Sequence, residues 1–189
     1  MKDRIIIAIT GATGIIYGIR LLEELRKLDD VELLLILSDW AKHIILEETS
    51  FSVEDVESLG HKVYSNQDLA APVASGSYQK IKSMIVAPCS MKTLAGIASG
   101  FSNSLILRAA DVSLKERRKL VLVPRETPLN QVHISNMLTL ASMGAVIAPP
   151  MPAFYTKPVS IDDLVNQHVA RILDLLEYPS TCGKRWEVE

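Results

Sequence analysis

Residues 4–14 read RIIIAITGATG, and this stretch decides the fold. An unbroken Arg-Ile-Ile-Ile-Ala-Ile run lacks the polar alternation of a half-exposed strand. It matches a strand buried on both faces, as in a parallel sheet covered by helices. The small residues after it turn the chain into a helix over 15–28. There Ile15, Ile19, Leu22 and Leu25 share one side, and Glu23, Glu24, Arg26 and Lys27 lie opposite. The same alternation continues outward. Buried strands are predicted at 31–37 (VELLLIL), 83–87 (SMIVA), 120–124 (LVLVP) and 145–148 (AVIA). Helices are predicted from Ser38 as cap to Glu48, over 53–59, 91–99, 104–118 and 130–143, the last stopped by Gly144, and over 161–177 with Ser160 as cap. Residues 60–82 read as mixed and loop-rich, and 149–158 (PPMPAFYTKP) as irregular. Strands alternating with helices predict a Rossmann-like, three-layer α/β sandwich with a mostly parallel sheet, in one domain over 1–189.

Composition narrows the class. The 189 residues are 48% apolar and 22% charged, with a net charge of −2, which excludes disorder and a whole-surface grip on nucleic acid. Cys89 and Cys182 show no CxxC spacing, and the four His show no metal-ligand spacing, so neither a disulfide framework nor a metal site is predicted. No run approaches the roughly 18 apolar residues of a membrane span. A cytoplasmic location is the expectation.

In a sheet of this kind the ligand lies at the carboxyl ends of the strands. Those ends carry Thr10-Gly11-Ala12-Thr13-Gly14, then Ser38, then Pro88-Cys89-Ser90-Met91-Lys92-Thr93, then Pro124-Arg125-Glu126-Thr127-Pro128. Hydroxyls, small residues and an arginine at four successive ends suit a phosphorylated ligand. The pattern is not GxGxxG, and ordinary helix capping by Ser and Thr produces similar residues. Basic residues crowd 108–125, and Arg108, Lys115 and Arg118 share a face if the helix is continuous; a solvated helix end is the plain alternative. Glu48, Tyr155, Lys157 and Arg171 complete the candidates. Cys89 has no base near it in sequence, so no thiol nucleophile is read there. The apolar run 141–155 is long for one short strand and its exit, which predicts a subunit interface and an active site shared between chains.

TGATG with YGIRLLEEL, PCSMKTLAGIASG, LILRAADVSLKERRKLVLVPRETPL, NMLTLASMGAVIAPPMPAFYTKP and DDLV together resemble the UbiX-type flavin prenyltransferases, over about residues 4–186. The resemblance implies transfer of a dimethylallyl group from dimethylallyl monophosphate to reduced FMN, at N5 and C6, without a metal. The prenylated FMN would pass to a UbiD-type decarboxylase, and the family commonly assembles as a dodecamer built of trimers. It also implies roles. Gly11, Ala12, Thr13, Ser38, Ser90, Met91, Lys92, Thr93 and Arg125 would bind FMN. Arg108, Lys115, Glu126, Tyr155 and Arg171 would bind the prenyl phosphate. Glu48, Lys115, Glu126 and Thr13 would act in catalysis. Two positions depart from the family pattern: Thr13 replaces a serine, and Leu69 stands where some members carry an aromatic. Trp40 has no assigned place. Alternative readings are an FMN-binding decarboxylase of the cysteine type, which would need a His and a PxMNxxMW-like segment missing here, a non-catalytic flavin carrier, and a purely structural assembly protein.

Overall fold

A computed structural model describes residues 2–186; Met1 and Glu187–Glu189, which the expected 1–189 domain includes, lie outside the described residues. In chain order the elements are β1 (Asp3–Ile9), α1 (Ile15–Arg26), β2 (Val31–Leu37), α2 (Asp39–Glu48), α3 (Val53–Leu59), β3 (Lys62–Ser65), β4 (Ile81–Cys89), α4 (Met91–Ala98), α5 (Leu105–Lys115), β5 (Lys119–Pro124), α6 (Gln131–Ser142), β6 (Val146–Ile147) and α7 (Ile161–Leu175). Single 3-10 turns occupy Pro72–Ala74 and Phe154–Thr156. All strand pairs are parallel, in the order β3-β2-β1-β4-β5-β6, so the sheet is wholly parallel.

β1 explains the layering. Its Ile5, Ile7 and Ile9 enter one core with Ile15 and Leu22 of α1, Ile45 of α2, Val56 of α3 and Val169 of α7. Its Ile6 and Ala8 enter the other, with Leu94 of α4, Leu105 and Ala109 of α5 and Leu140 of α6. Successive side chains point to opposite faces, so both faces must be apolar and both must be covered by helices. Each fully buried Ile or Leu side chain contributes about 1.5–3 kcal/mol. Among the described residues no helix is long and apolar enough to cross a membrane.

Helix ends follow the side-chain chemistry. Ser38, Ser90 and Ser104 accept from the third backbone N–H of α2, α4 and α5. Ser52 with Asp55, and Ser160 with Asp163, close reciprocal capping boxes on α3 and α7. Gly144 adopts φ +96 after α6, the left-handed turn that ends helices.

Three expectations need correction. The loop-rich stretch 60–82 contains β3, a four-residue edge strand with exposed Lys62, Val63 and Ser65; covered only in part, it carries no buried apolar run to betray it. The last strand is two residues, not four. The helix expected over 104–118 stops at Lys115, and Arg117 takes φ +54, so Arg118 leaves the helical face. Arg118 instead donates to the carbonyls of Gly76 and Tyr78 at 2.8 and 3.2 Å.

Candidate active site

Strand order reverses between β1 and β4, and the crevice outside their carboxyl ends is the place such sheets offer a ligand. Thr10 builds its floor. Its backbone N–H and its Oγ1 both donate to the Pro88 carbonyl, at 3.2 and 2.9 Å, and Oγ1 accepts the Ser90 N–H at 2.8 Å. Pro88 has no N–H of its own, and the buried Thr10 hydroxyl adds a side-chain cross-link between the ends of β1 and β4. The neighbouring ends are tied in the same way: Ser38 N–H to the Ile9 carbonyl at 3.0 Å, and Arg125 N–H to the Cys89 carbonyl at 3.3 Å.

Above this floor lies a cleft of about 590 Å³. Gly11, Ser38, Ser90, Lys92 and Thr93 line it, as do Trp40, Asn66, Gln67, Phe101, Asn103, Ser104, Ile106 and Leu107. Ser90 Oγ accepts the Thr93 N–H at 3.3 Å and donates to Thr93 Oγ1 at 3.1 Å, which sets two hydroxyls at the amino end of α4. A helix amino end with free N–H groups and hydroxyls favours an anionic oxygen cluster, so a flavin phosphate fits here. Gly11 is required by Trp40: an added Cβ would sit 2.5 Å from the Trp40 Cβ. Trp40, which the sequence reading left without a place, is thus part of this wall, with its ring edge-on to His43 at 5.6 Å.

Not every expected flavin residue lines this cleft. Ala12 and Thr13 stand in the turn beside it, and Ala12 N–H donates to the Thr10 carbonyl at 2.8 Å. The Met91 side chain packs against the second core. Arg125 lies exposed near Tyr17, whose hydroxyl burial pushes up in pKa and Arg125 pulls down. Leu69 is about half exposed and lines no described cleft. Cys89 is fully buried, its thiol pushed up to about 12, which leaves it inert.

Glu48 is more than a solvated helix end. Its Oε2 accepts the N–H groups of Gly14 and Ile15 at 2.8 and 3.2 Å, so the carboxylate caps α1 and steadies the turn that carries Thr13. Gly14 takes φ +93 and offers no capping side chain, and a residue 34 positions away does that work.

A second cleft, about 400 Å³, opens beside β6. Tyr155 and Arg171 line it with Met151, Gln167 and His168. The Trp186 ring meets the Tyr155 ring edge to face at 5.2 Å. Sequence reasoning missed Gln167, His168 and Trp186; a tail residue against an irregular loop leaves no local pattern. Arg108 and Lys115 line neither cleft. Arg108 Nε donates to the Ala74 carbonyl at 3.1 Å, Arg108 pairs with Asp111 at 2.7 Å, and Lys115 pairs with Glu116. Glu126 is exposed, accepting the Thr127 N–H at 2.9 Å. Within one chain the expected donor-site residues therefore form two groups and a separate acid.

His168 yields a stability prediction. Burial against Tyr17, ring centroids 5.2 Å apart, lowers its pKa from 6.5 to about 4, and its Nε2 is buried without a partner. The folded state thus refuses a proton that the unfolded state accepts. Stability is full above pH 6.5 and falls as pH drops towards 4, by up to about 3 kcal/mol at the lower end. His61, also lowered by burial, adds a part of the same sign. Denaturant titrations from pH 7 to 4 should show this slope, and His168→Phe should flatten it; parallel curves for the two proteins would assign the slope elsewhere.

Residues 1–173 match the family model described as Flavoprotein. The chain is 48% identical over 183 residues to the flavin prenyltransferase UbiX of Methanocaldococcus jannaschii, covering 97% of this chain and 98% of that protein. It superposes on the crystal structure of AnUbiX (PadA1) in complex with FMN and dimethylallyl pyrophosphate with a TM-score of 0.97, 51% identity and all of both chains covered. The structure of a dodecameric FMN-dependent UbiX-like decarboxylase from Escherichia coli O157:H7 gives a TM-score of 0.96 at 49% identity, covering 98% of this chain and 100% of that one. Near-complete coverage at about half identity, on a wholly parallel sheet with the cleft at its strand reversal, means that the chain belongs to the UbiX flavin prenyltransferase family of flavoproteins.

Proposed function

We propose that this chain transfers a dimethylallyl group from dimethylallyl monophosphate to reduced FMN held in the first cleft. The observation that carries the reading is that cleft: strand ends stitched by Thr10, opening onto the Ser90-capped amino end of α4. Ser90, Lys92 and Thr93 bind the FMN phosphate, and Gly11 and Ser38 line the approach to its ring; Thr13, in the turn after Gly11, and Arg125, whose N–H is tied to the end of β4, are assigned to the flavin as well. When bound, FMN supplies the ring atoms that receive the prenyl group.

The donor must break an allylic C–O bond, and the electron pair leaves with the phosphate. Arg108, Lys115, Tyr155 and Arg171 stabilise that developing anion with preorganised N–H and O–H donors, work that a divalent cation does for diphosphates. Closing the ring adds a proton to the prenyl double bond and removes one from the ring carbon; Glu48 or the departed phosphate gives the first and accepts the second. Glu126, next to Arg125 in sequence and exposed in the single chain, is assigned to the same donor pocket. The AnUbiX crystal structure holds dimethylallyl pyrophosphate. A direct comparison of the two donors therefore belongs in the assay, with the monophosphate expected to react faster.

The separation of donor residues within one chain is resolved by assembly. α6 buries only Leu140, while Val132, Ile134 and Leu138 are exposed, as are Met143, Met151, Phe154 and Tyr155 in the residues that follow. So much exposed apolar area marks a contact face, and a UbiX-like relative is dodecameric. A second copy seated here would bring Arg108 and Lys115 of one chain to Tyr155 and Arg171 of another. Leu138 is 68% exposed in the single chain, so Leu138→Glu should leave the fold intact. Light scattering at micromolar concentration should show a large assembly for the wild type, a smaller species for Leu138→Glu, and lost prenyl transfer in the variant. A wild-type monomer would contradict the shared site.

The recipient is a UbiD-type decarboxylase, in the cytoplasm. The product of the reaction, added to such a decarboxylase purified without cofactor, should restore decarboxylation. FMN carried through the same steps without the donor should not, and equal rescue by plain FMN would defeat the reading.

A further inference from the structure

Gln167 and Arg171 lie one turn apart on α7, and both line the second cleft with Tyr155. The Gln167 amide is a hub. Its Nε2 donates to Tyr155 Oη at 3.2 Å and to the Lys184 carbonyl at 2.9 Å, and its Oε1 accepts the Lys184 N–H at 2.8 Å. Both amide protons and the oxygen are thus engaged, and the backbone of Lys184 is paired as it would be by a neighbouring strand. The segment 182–186 is drawn along α7 by further contacts: Cys182 Sγ to the Asn166 carbonyl at 3.5 Å and Arg185 to Asp174 at 2.6 Å. Gly183 comes so close that an added Cβ would lie 2.4 Å from the Ala170 Cβ. The segment ends with the Trp186 ring against the Tyr155 ring.

We propose that Gln167 is a positioning residue for the donor pocket: one neutral amide fixes the Tyr155 hydroxyl and straps residues 182–186 so that Trp186 closes over Tyr155. This rests on the reading of Tyr155 and Arg171 as donor-phosphate residues. The neutrality of the side chain is part of the role. A carboxylate at 167 would lie four residues before Arg171 on the same helix and would pair with its guanidinium, which would take that charge from the phosphate.

The test uses the assembled, FMN-loaded protein with Gln167→Ala and Gln167→Glu. Two quantities are read: the rate at which trypsin cuts after Lys184 and Arg185, followed by intact mass, and the affinity for dimethylallyl monophosphate, followed by calorimetry. Gln167→Ala should be cut at least about tenfold faster and bind the donor about tenfold more weakly, the loss of two or three hydrogen bonds. FMN affinity and the thermal midpoint should hardly move. Gln167→Glu keeps the acceptor for Lys184 N–H, so it should be cut more slowly than Gln167→Ala yet bind the donor more weakly. A merely structural role does not produce that reversed order. Equal cutting of wild type and Gln167→Ala overturns the strap. Unchanged donor affinity in a freely cut Gln167→Ala overturns the positioning role. A wild type that binds no dimethylallyl monophosphate at all overturns the donor-pocket assignment and the positioning role with it, while the cutting rates still decide the strap. Prenyl transfer by the wild type, assayed in parallel, separates these outcomes from failure of the proposed function.

Discussion

Glu48→Gln is expected to lower the rate of prenylated-flavin formation by about 10²–10⁴-fold, the range of a general base, while FMN binding stays close to wild type. The structure shows why this variant isolates the charge. Glu48 Oε2 holds the N–H groups of Gly14 and Ile15, and a glutamine oxygen can accept both bonds. Only the charge–dipole part of the cap is lost, about 0.3–1 kcal/mol. Thr13, in the turn that this cap steadies, keeps its place. Glu48→Ala removes cap and charge together and should cost about 0.5–2 kcal/mol of stability besides. Comparing the two separates chemistry from scaffolding. Because the proton leaves carbon only at ring closure, the later part of the reaction should slow more than the first attachment, which absorption spectra distinguish. A Glu48→Gln enzyme working at the wild-type rate would remove Glu48 from the mechanism.

Lys115→Ala should reduce prenyl transfer by about 10²–10³-fold, the usual cost of removing one preorganised donor to a developing oxyanion. FMN affinity should be unaffected, because Lys115 does not line the first cleft. The ammonium pairs with Glu116, whose carboxyl it holds below the usual range. That pairing holds the ammonium at the end of α5 until a phosphate competes for it. Lys119→Ala, a lysine of the same basic run paired with Glu177 at 2.9 Å, serves as control and should leave the rate unchanged. Lys115→Ala activity within about twofold of wild type would return Lys115 to the status of a solvated helix end.

The sequence carried the layering because β1 and β2 must be apolar on both faces, and each run of Ile or Leu says so locally. α2 and α7 were legible from Ser38 and Ser160, whose hydroxyls mark helix starts, while the matching cap of α3 at Ser52 was not read. β3 was not, because Lys62–Ser65 is an edge strand that needs no apolar run. The end of α5 was misjudged by three residues, because Arg117 adopts a left-handed backbone that a non-glycine residue rarely signals. In the site, Gly11, Ser38, Ser90 and Thr93 could be read because strand ends converge by topology. Thr10 was read only as part of a turn, although its hydroxyl joins β1 to β4 across 80 residues. Gln167 and Trp186 were missed for the same reason: contacts over long sequence separations have no period or cap to announce them. The scatter of Arg108, Lys115, Tyr155 and Arg171 within one chain was equally invisible, since only the family resemblance, and no spacing in the sequence, had grouped them.

The most direct measurement is anaerobic incubation of the protein with reduced FMN and dimethylallyl monophosphate, with the flavin released and examined by mass spectrometry and absorption. The account predicts a flavin heavier by one five-carbon prenyl unit, with an absorption spectrum changed by the new ring, formed only when protein and donor are both present. FMN recovered unchanged from a protein that binds it would contradict prenyl transfer and leave a flavin carrier.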